Sequence, residues 1–305
     1  VTLDTMVTGT AHAASMGGTQ IWLKEGEQLS MDEMLKAIAV GSANDCAVAV
    51  AEHLCGTEEA FVERMNTRAK ELGCTSTTFS NANGLDADGQ KTLTSARDLA
   101  LISVELLKHP KILDYTTIWM DTIRNGEFSL ANTNKMLRSY KGLIGLKTGY
   151  ISEAGFCISA AAQRDGMTLI ATVMGAPTKE DRMADATALL NYGFANFAPY
   201  TPDLTDALTP LPVKMGQAET VAVQAEEVPP VVVAKEKIEN VQTQIHLPAS
   251  VEAPVAAGQE LGTAEIRDGE NVLFTLRLTA AEAVERLHFQ DLFRSFLRVA
   301  LMKEA

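Results

Sequence analysis

Apolar residues recur at helical spacing through the first hundred positions of the chain and then change to strand-like alternation. Ser30-Met31-Asp32-Glu33 reads as a capping box, in which a serine hydroxyl and a Glu carboxylate satisfy free N–H groups of a first helical turn. Met34, Leu35, Ile38 and Ala39 follow at helical spacing. Gly41-Ser42-Ala43-Asn44 interrupts the pattern, and Ala47, Val48, Ala51 and Leu54 resume it on a second helix. Thr57 opens a third, with Phe61, Met65, Ala69 and Leu72 on one stripe and Gly73 as its stop. A fourth is predicted over about 95–108, with Leu99, Ile102 and Leu106 as its apolar stripe and Pro110 beyond it.

After Gly142 the period changes to two. Residues 143–149, 155–162 and 167–175 read as three strands, the last two joined by the hairpin-type turn Gln163-Arg164-Asp165-Gly166. A helix follows over about 179–197, capped by Thr178, with Met183, Ala186, Leu190 and Phe194 facing inward. Helices followed by an antiparallel meander predict an α+β domain over residues 1–200.

Around Pro199-Tyr200-Thr201-Pro202 the composition shifts. Short β-like runs follow at 220–223, 230–234, 241–247 and 261–266. The turn Arg267-Asp268-Gly269-Glu270 then leads into Val272, Phe274, Leu276 and Leu278 at period two. These predict a small all-β domain over residues 201–280. Residues 281–305 read as a helix, with Leu292, Phe293, Phe296, Leu297, Ala300 and Leu301 on one face and Asp291, Arg294, Ser295, Arg298 and Lys303 on the other. Such a helix either docks on its own domain or lies in a membrane interface as an anchor.

With 305 residues there is room for a large domain and a smaller one. The net charge of −13 argues against a broad nucleic-acid surface, which needs clustered Lys and Arg. No apolar run approaches the roughly 20 residues that span a bilayer. Five scattered histidines and no CxxC spacing give no reason to expect a metal. Cys46 and Cys55, about 13 Å apart on one helix, are too distant to bridge; with Cys74 and Cys157 they are expected as buried thiols, one disulfide being the other reading. The chain opens Val1-Thr2-Leu3-Asp4, without Met or a signal peptide pattern.

Two tripeptides carry candidate chemistry: Ser42-Ala43-Asn44 at the break between two helices, and Lys147-Thr148-Gly149 at a strand end before Tyr150. Alone, the first also reads as an interhelical turn with Ser and Asn as caps, the second as a strand end with a solvated lysine. In this order they match the SxN and KTG motifs of serine penicillin-binding proteins and related β-lactamases. The flanks resemble the D-alanyl-D-alanine carboxypeptidase family: Leu23-Lys24-Glu25-Gly26-Glu27-Gln28-Leu29, Phe79-Ser80-Asn81-Ala82-Asn83-Gly84-Leu85-Asp86, Gly145-Leu146-Lys147-Thr148-Gly149-Tyr150 and Val173-Met174-Gly175-Ala176. The likeness runs through nearly the whole chain.

The resemblance implies a penicillin-binding, DD-peptidase fold followed by an all-β domain. It also implies removal of the terminal D-alanine from peptidoglycan stem pentapeptides through an acyl-serine, without metal or organic cofactor. It assigns proton relay to Ser42, a substrate hydrogen bond to Asn44, positive potential to Lys147 and carboxylate recognition to Thr148. Gly149 would give room on the strand edge, and the Tyr150 N–H would serve as an oxyanion donor. Arg182 is implied as a second reader of the carboxylate, its other reading being a surface arginine near Glu180 and Asp181. Asn134, in Leu130-Ala131-Asn132-Thr133-Asn134, falls in a polar loop near the cleft and is given no role. Implied partners are the stem peptide, β-lactams as inhibitors of the complete enzyme, and a membrane surface; the implied location is extracytoplasmic, on the outer face of the cytoplasmic membrane.

The family's nucleophile motif is the departure. No Ser-x-x-Lys occurs in the 305 residues. N-terminal truncation would explain this together with the missing Met and signal peptide, and would leave apolar surface uncovered and the chain inactive. The alternatives are a non-catalytic peptidoglycan-binding pseudoenzyme and a class A β-lactamase-like hydrolase. A membrane-associated interaction protein is a weaker one.

Overall fold

The computed structural model describes residues 1–85, 89, 91–204, 207–226, 230–290 and 293. It divides into two compact units, Val1–Ala195 and Asn196–Ala305. The first unit begins with β1 (Met6–Thr8), α1 (Ala11–Ala14), β2 (Gln28–Ser30) and α2 (Met31–Lys36). The capping box forms as read: Ser30 Oγ accepts from Glu33 N, and the Glu33 carboxylate accepts from Ser30 N. The helix then runs into a π-helical turn, Ala37–Gly41, and stops at Ser42. Next come α3 (Asn44–Cys55), α4 (Glu58–Glu71), capped by Thr57, and α5 (Ala96–Leu107), capped by Ser95. Gly73, at φ 77°, takes the left-handed conformation expected just beyond a helix end.

The remaining elements of this unit are α6 (Leu113–Thr116), β3 (Met120–Ile123), β4 (Phe128–Ala131), α7 (Met136–Ser139), β5 (Leu143–Ile151), β6 (Gly155–Arg164), β7 (Met167–Ala176) and α8 (Lys179–Asn196). The meander forms a three-stranded antiparallel sheet in the order β5-β6-β7, with β5 at one edge. Asp165 and Gly166, both left-handed, make the two-residue turn between β6 and β7. One apolar core gathers Val7, Ile21, Leu23, Met34, Val40, Val48 and Leu130 around α2 and α3. A second packs Ile158, Ala160, Val173, Ala186 and Leu190 between sheet and α8.

The stripe read on α5 is only half covered. Its deepest residues are Asp98 and Ser103, while Val104 and Leu106 are exposed. Asp98 is held by Ser76 N and Thr77 Oγ1, and Ser103 Oγ shares a 2.7 Å hydrogen bond with Ser159 Oγ of β6. Polar contacts therefore seat this helix where apolar ones were expected. An open apolar pocket of about 420 Å³ lies between α3, α4 and α5, lined by Leu54, Phe61, Met65, Leu72, Phe79 and Ile102. The four cysteines are all free; Cys46 and Cys74 are buried, but Cys55 and Cys157 are only half-buried.

The second unit starts at Asn196, and Phe197, expected as the last residue of the helix, instead opens a strand, β8 (Phe197–Tyr200). It pairs antiparallel with β12 (Val231–Ala234), following β9 (Leu211–Lys214), β10 (Thr220–Val221) and β11 (Val223–Ala225) in sequence. After α9 (Lys235–Ile238) come β13 (Val241–His246), β14 (Val251–Glu252), β15 (Glu260–Asp268) and β16 (Asn271–Ala280). Its main sheet has the order β11-β16-β15-β13. Residues 281–288 are not helical, contrary to the amphipathic reading. Val284 is buried in the core and exchanges backbone hydrogen bonds of 2.8 and 2.9 Å with Val255, and Leu287 N donates to Met215 O. Pairing to neighbouring backbone wins over helical periodicity there. Helix begins at Phe289, whose exposed ring stacks on that of Phe293; the rest of the expected face, from Asp291 and Leu292 to Lys303, lies outside the described residues, as does Asp86.

Candidate active site

The break between α2 and α3 places Ser42 by backbone geometry. The π-helical turn ends with Ser42 in the left-handed region, φ 63° and ψ 39°, which non-glycine residues rarely occupy. Its N–H is still tied to Ile38 O at 3.1 Å. The capping alternative does not hold: Ala43 is the cap residue of α3 and supplies no side-chain bond, while Asn44 is the first helical residue. The Ser42 hydroxyl turns instead to Lys147, whose Nζ donates to it at 2.8 Å. A second Nζ hydrogen bond, also 2.8 Å, goes to Thr148 O.

Lys147 is consequently no solvated strand end. Burial, and then the charge of Arg182, lowers its pKa to about 8. Arg182 is no surface residue either. It shares the inward face of α8 with Ala186 and Leu190 and is 6% exposed. Its Nη1 donates to Cys157 O at 3.3 Å, its guanidinium lies 5.8 Å from the Phe156 ring centroid, and its Nε finds no acceptor among the described residues. Burial also lowers its pKa. Neither cation forms an ion pair among the described residues, and Arg182 lies close enough for its charge to act on Lys147.

Thr148 is buried at 8%, and its hydroxyl meets that of Thr133 at 2.7 Å. Thr133 was not singled out from sequence, although its segment was. Its neighbours explain its position: Asn132 Nδ2 donates to Ile118 O, Asn132 Oδ1 accepts from Asn134 N, and Asn134 Oδ1 accepts from Met136 N. Gly149 and Tyr150 lie on the open edge of the sheet. A Cβ at Gly149 would meet no atom within 4 Å, and Tyr150, 58% exposed, stacks on Phe156 across β6 at 4.2 Å. Gly145, at φ 137°, lets Thr116 approach so closely that a Cβ there would lie 2.7 Å from it. Thr116 Oγ1 then donates to Ile144 O, which fixes the start of the strand that carries Lys147.

Asn44 shares the break with Ser42 but faces a different neighbour. Its Nδ2 donates to Gly17 O at 2.9 Å and its N to Thr19 O at 2.8 Å. Gly18 packs against both Asn44 and Leu85, and Asn83 Nδ2 reaches Met16 Sδ, so residues 16–19 tie the two loops together. Ser42, Lys147, Thr148 and Arg182 are thus gathered around one strand edge, with Gly149 and Tyr150 open along it.

Comparison with known proteins identifies the family. The sequence profile of the family described as D-alanyl-D-alanine carboxypeptidase matches residues 1–178. The chain belongs to that family. A second profile, the C-terminal domain of penicillin-binding protein 5, matches residues 205–286. Among relatives, D-alanyl-D-alanine carboxypeptidase DacF of Bacillus subtilis is 37% identical over 283 residues, covering 91% of this chain and 72% of that protein. D-alanyl-D-alanine carboxypeptidase DacC of Escherichia coli is 32% identical, covering 88% of this chain and 67% of its own. The crystal structure of penicillin-binding protein 5 from Haemophilus influenzae superposes with a TM-score of 0.76 at 28% identity, covering 93% of this chain and 84% of that one. An ampicillin-bound penicillin-binding protein of Listeria monocytogenes has a TM-score of 0.58 at 34% identity, over 63% of this chain and 78% of its own. The carboxypeptidase fold and its all-β C-terminal domain are therefore both present. The family hydrolyses D-alanyl-D-alanine termini with a serine and acts on peptidoglycan outside the cytoplasm.

Proposed function

We propose that this chain grips the D-Ala-D-Ala end of a peptidoglycan stem peptide along the outer edge of β5. The supporting observation is a pair of cations, half-buried Lys147 on the edge strand and buried Arg182 near it, without an ion pair among the described residues, beside a strand that is open at Gly149. A terminal carboxylate brought to Thr148 would meet its hydroxyl and the positive potential of both cations, at sites already desolvated. The substrate backbone would run antiparallel to the strand over Gly149, with the Asn44 amide at its side. The Tyr150 N–H would face the scissile carbonyl oxygen. Ser42, hydrogen-bonded to Lys147, would pass protons between nucleophile and leaving amine in a protein that also carries Ser-x-x-Lys.

The same protein would work on the outer face of the cytoplasmic membrane, held there peripherally. The exposed Phe289–Phe293 pair supports that placement. Among the described residues no helix is long and apolar enough to cross a membrane.

The grip is tested by calorimetry with an N-acylated tripeptide ending in D-Ala-D-Ala and with its C-terminal amide. The acid is expected to bind about tenfold or more tightly, the worth of one charge-assisted hydrogen bond. Arg182→Gln should erase most of that difference. Equal affinity for acid and amide would sink the proposal.

A further inference from the structure

Trp22 is held in an unfavourable way. Its φ is 56°, in the left-handed region that bulky side chains avoid, and its indole is 66% exposed. Its neighbours Ile21 and Leu23 are fully buried. A buried carboxylate fixes both: Asp45 accepts from Ile21 N at 3.1 Å and from Leu23 N at 2.9 Å. From the other side Arg124 Nη1 donates to Ile21 O at 2.8 Å, while its Nε and Nη2 grip Glu27 at 2.7 and 3.1 Å. The Arg124 guanidinium covers one face of Phe128, 5.3 Å from the ring centroid. The Trp22 ring meets Phe128 edge-to-face at 5.9 Å and 67°. A strained backbone and an exposed indole are thus imposed together by an elaborate scaffold, a combination that marks a ligand contact.

We infer that Trp22, backed by Phe128, is a saccharide platform that takes the glycan strand of peptidoglycan while the stem peptide occupies the site. The inference rests on the reading of that site as a D-Ala-D-Ala grip. A pyranose presents a C–H face that stacks on an indole, with hydroxyl and amide groups left at its rim for water. Continuity with the site selects this occupant. The segment bearing Trp22 also bears Thr19, whose carbonyl receives the Asn44 N–H, and Asp45 is the residue after Asn44. Phe128 lies five residues before Thr133, which touches Thr148. That is a chain reach of at most about 17 Å, the same as the reach of a five-residue stem from its terminal carboxylate to the sugar that bears it.

The chain contains two tryptophans, so Trp119→Phe leaves Trp22 as the sole reporter. Titration with a peptide-free N-acetylglucosamine–N-acetylmuramic acid tetrasaccharide should then change its emission saturably. In the unsubstituted background, Trp22→Ala and Trp22→Gly should each weaken tetrasaccharide binding roughly tenfold by calorimetry. The glycine variant accepts the left-handed backbone, so its loss of binding is not a loss of fold. Absence of any saturable response to sugar, with the D-Ala-D-Ala tripeptide still bound, overturns the platform and leaves the grip standing. Sugar binding without peptide binding supports the platform and overturns the grip. Dimerisation on concentrating the protein without sugar, measured by sedimentation and abolished by Trp22→Ala, would assign the surface to a second copy of the chain and overturn the inference.

Discussion

Lys147 sits where its proton is easily lost, with its pKa lowered to about 8 by burial and by Arg182. The negative charge of an anion bound at Thr148 would offset both effects, so the complex would hold its proton to higher pH than the free chain does. The sign follows from linkage. Below about pH 8 Lys147 is protonated in both states and affinity is constant; above it the free chain has lost a proton that binding must restore. Affinity for a D-Ala-D-Ala peptide should therefore fall as pH rises from 8 towards 10, with proton uptake in that window. Calorimetry in two buffers of different ionisation enthalpy measures the uptake, and Lys147→Met should flatten the profile while weakening binding. A profile that is flat in the unsubstituted chain would remove Lys147 from the anion site. The two hydrogen bonds of Nζ, to Ser42 Oγ and Thr148 O, show why the ammonium stays in place despite its poor solvation.

At the scale of elements, the first turn of α3 carries more than its motif residue. Asp45 is fully buried, next to the start of the helix, and accepts from Ile21 N, Leu23 N and Cys46 N. A carboxylate there is favoured by the N-terminal partial charge of the helix and by those donors. Asp45→Ala would leave the Ile21 and Leu23 amides unsatisfied in the core, costing about 3 kcal/mol, and Asp45→Asn about half of that. Urea denaturation followed by tryptophan emission measures both, and a loss below about 0.5 kcal/mol for the alanine variant would show that the loop is held by packing alone. Nothing in the sequence marked Asp45, because Ile21 and Leu23, whose amides it holds, are more than twenty residues away. The same limit explains the other omissions. Ser42, Lys147 and Thr148 were legible because each motif is contiguous, and the capping box at Ser30 because it is local. Thr133 meets Thr148 only through the fold, and Phe197–Tyr200 became a strand only through pairing with Val231–Ala234. The helix expected from residue 281 failed for a related reason, since Val284 and Leu287 pair with distant backbone.

Across the whole molecule, the 305 residues hold the Ser42-Ala43-Asn44 and Lys147-Thr148-Gly149 motifs and contain no Ser-x-x-Lys. Stable labelling by a β-lactam needs a serine that attacks the ring carbonyl and stays acylated, with a base to take its proton. Ser42 is the one serine in the two motifs present, and its partner is unsuited to that task. Lys147, with its pKa about 8, is mostly protonated at neutral pH, and its Nζ already donates to the Ser42 oxygen that would have to attack. The chain incubated with fluorescent penicillin at pH 7 should therefore carry no label through denaturing electrophoresis. Raising the pH to 9 deprotonates Lys147 and is the more severe trial, because Ser42 then gains a neutral amine at 2.8 Å. The left-handed backbone at Ser42 still ties its N–H to Ile38 O, which leaves that amide unable to serve as an oxyanion donor. No label is expected at pH 9 either. A covalent adduct located on Ser42 by peptide mass mapping would overturn this division of labour, since it would give the chain a nucleophile of its own.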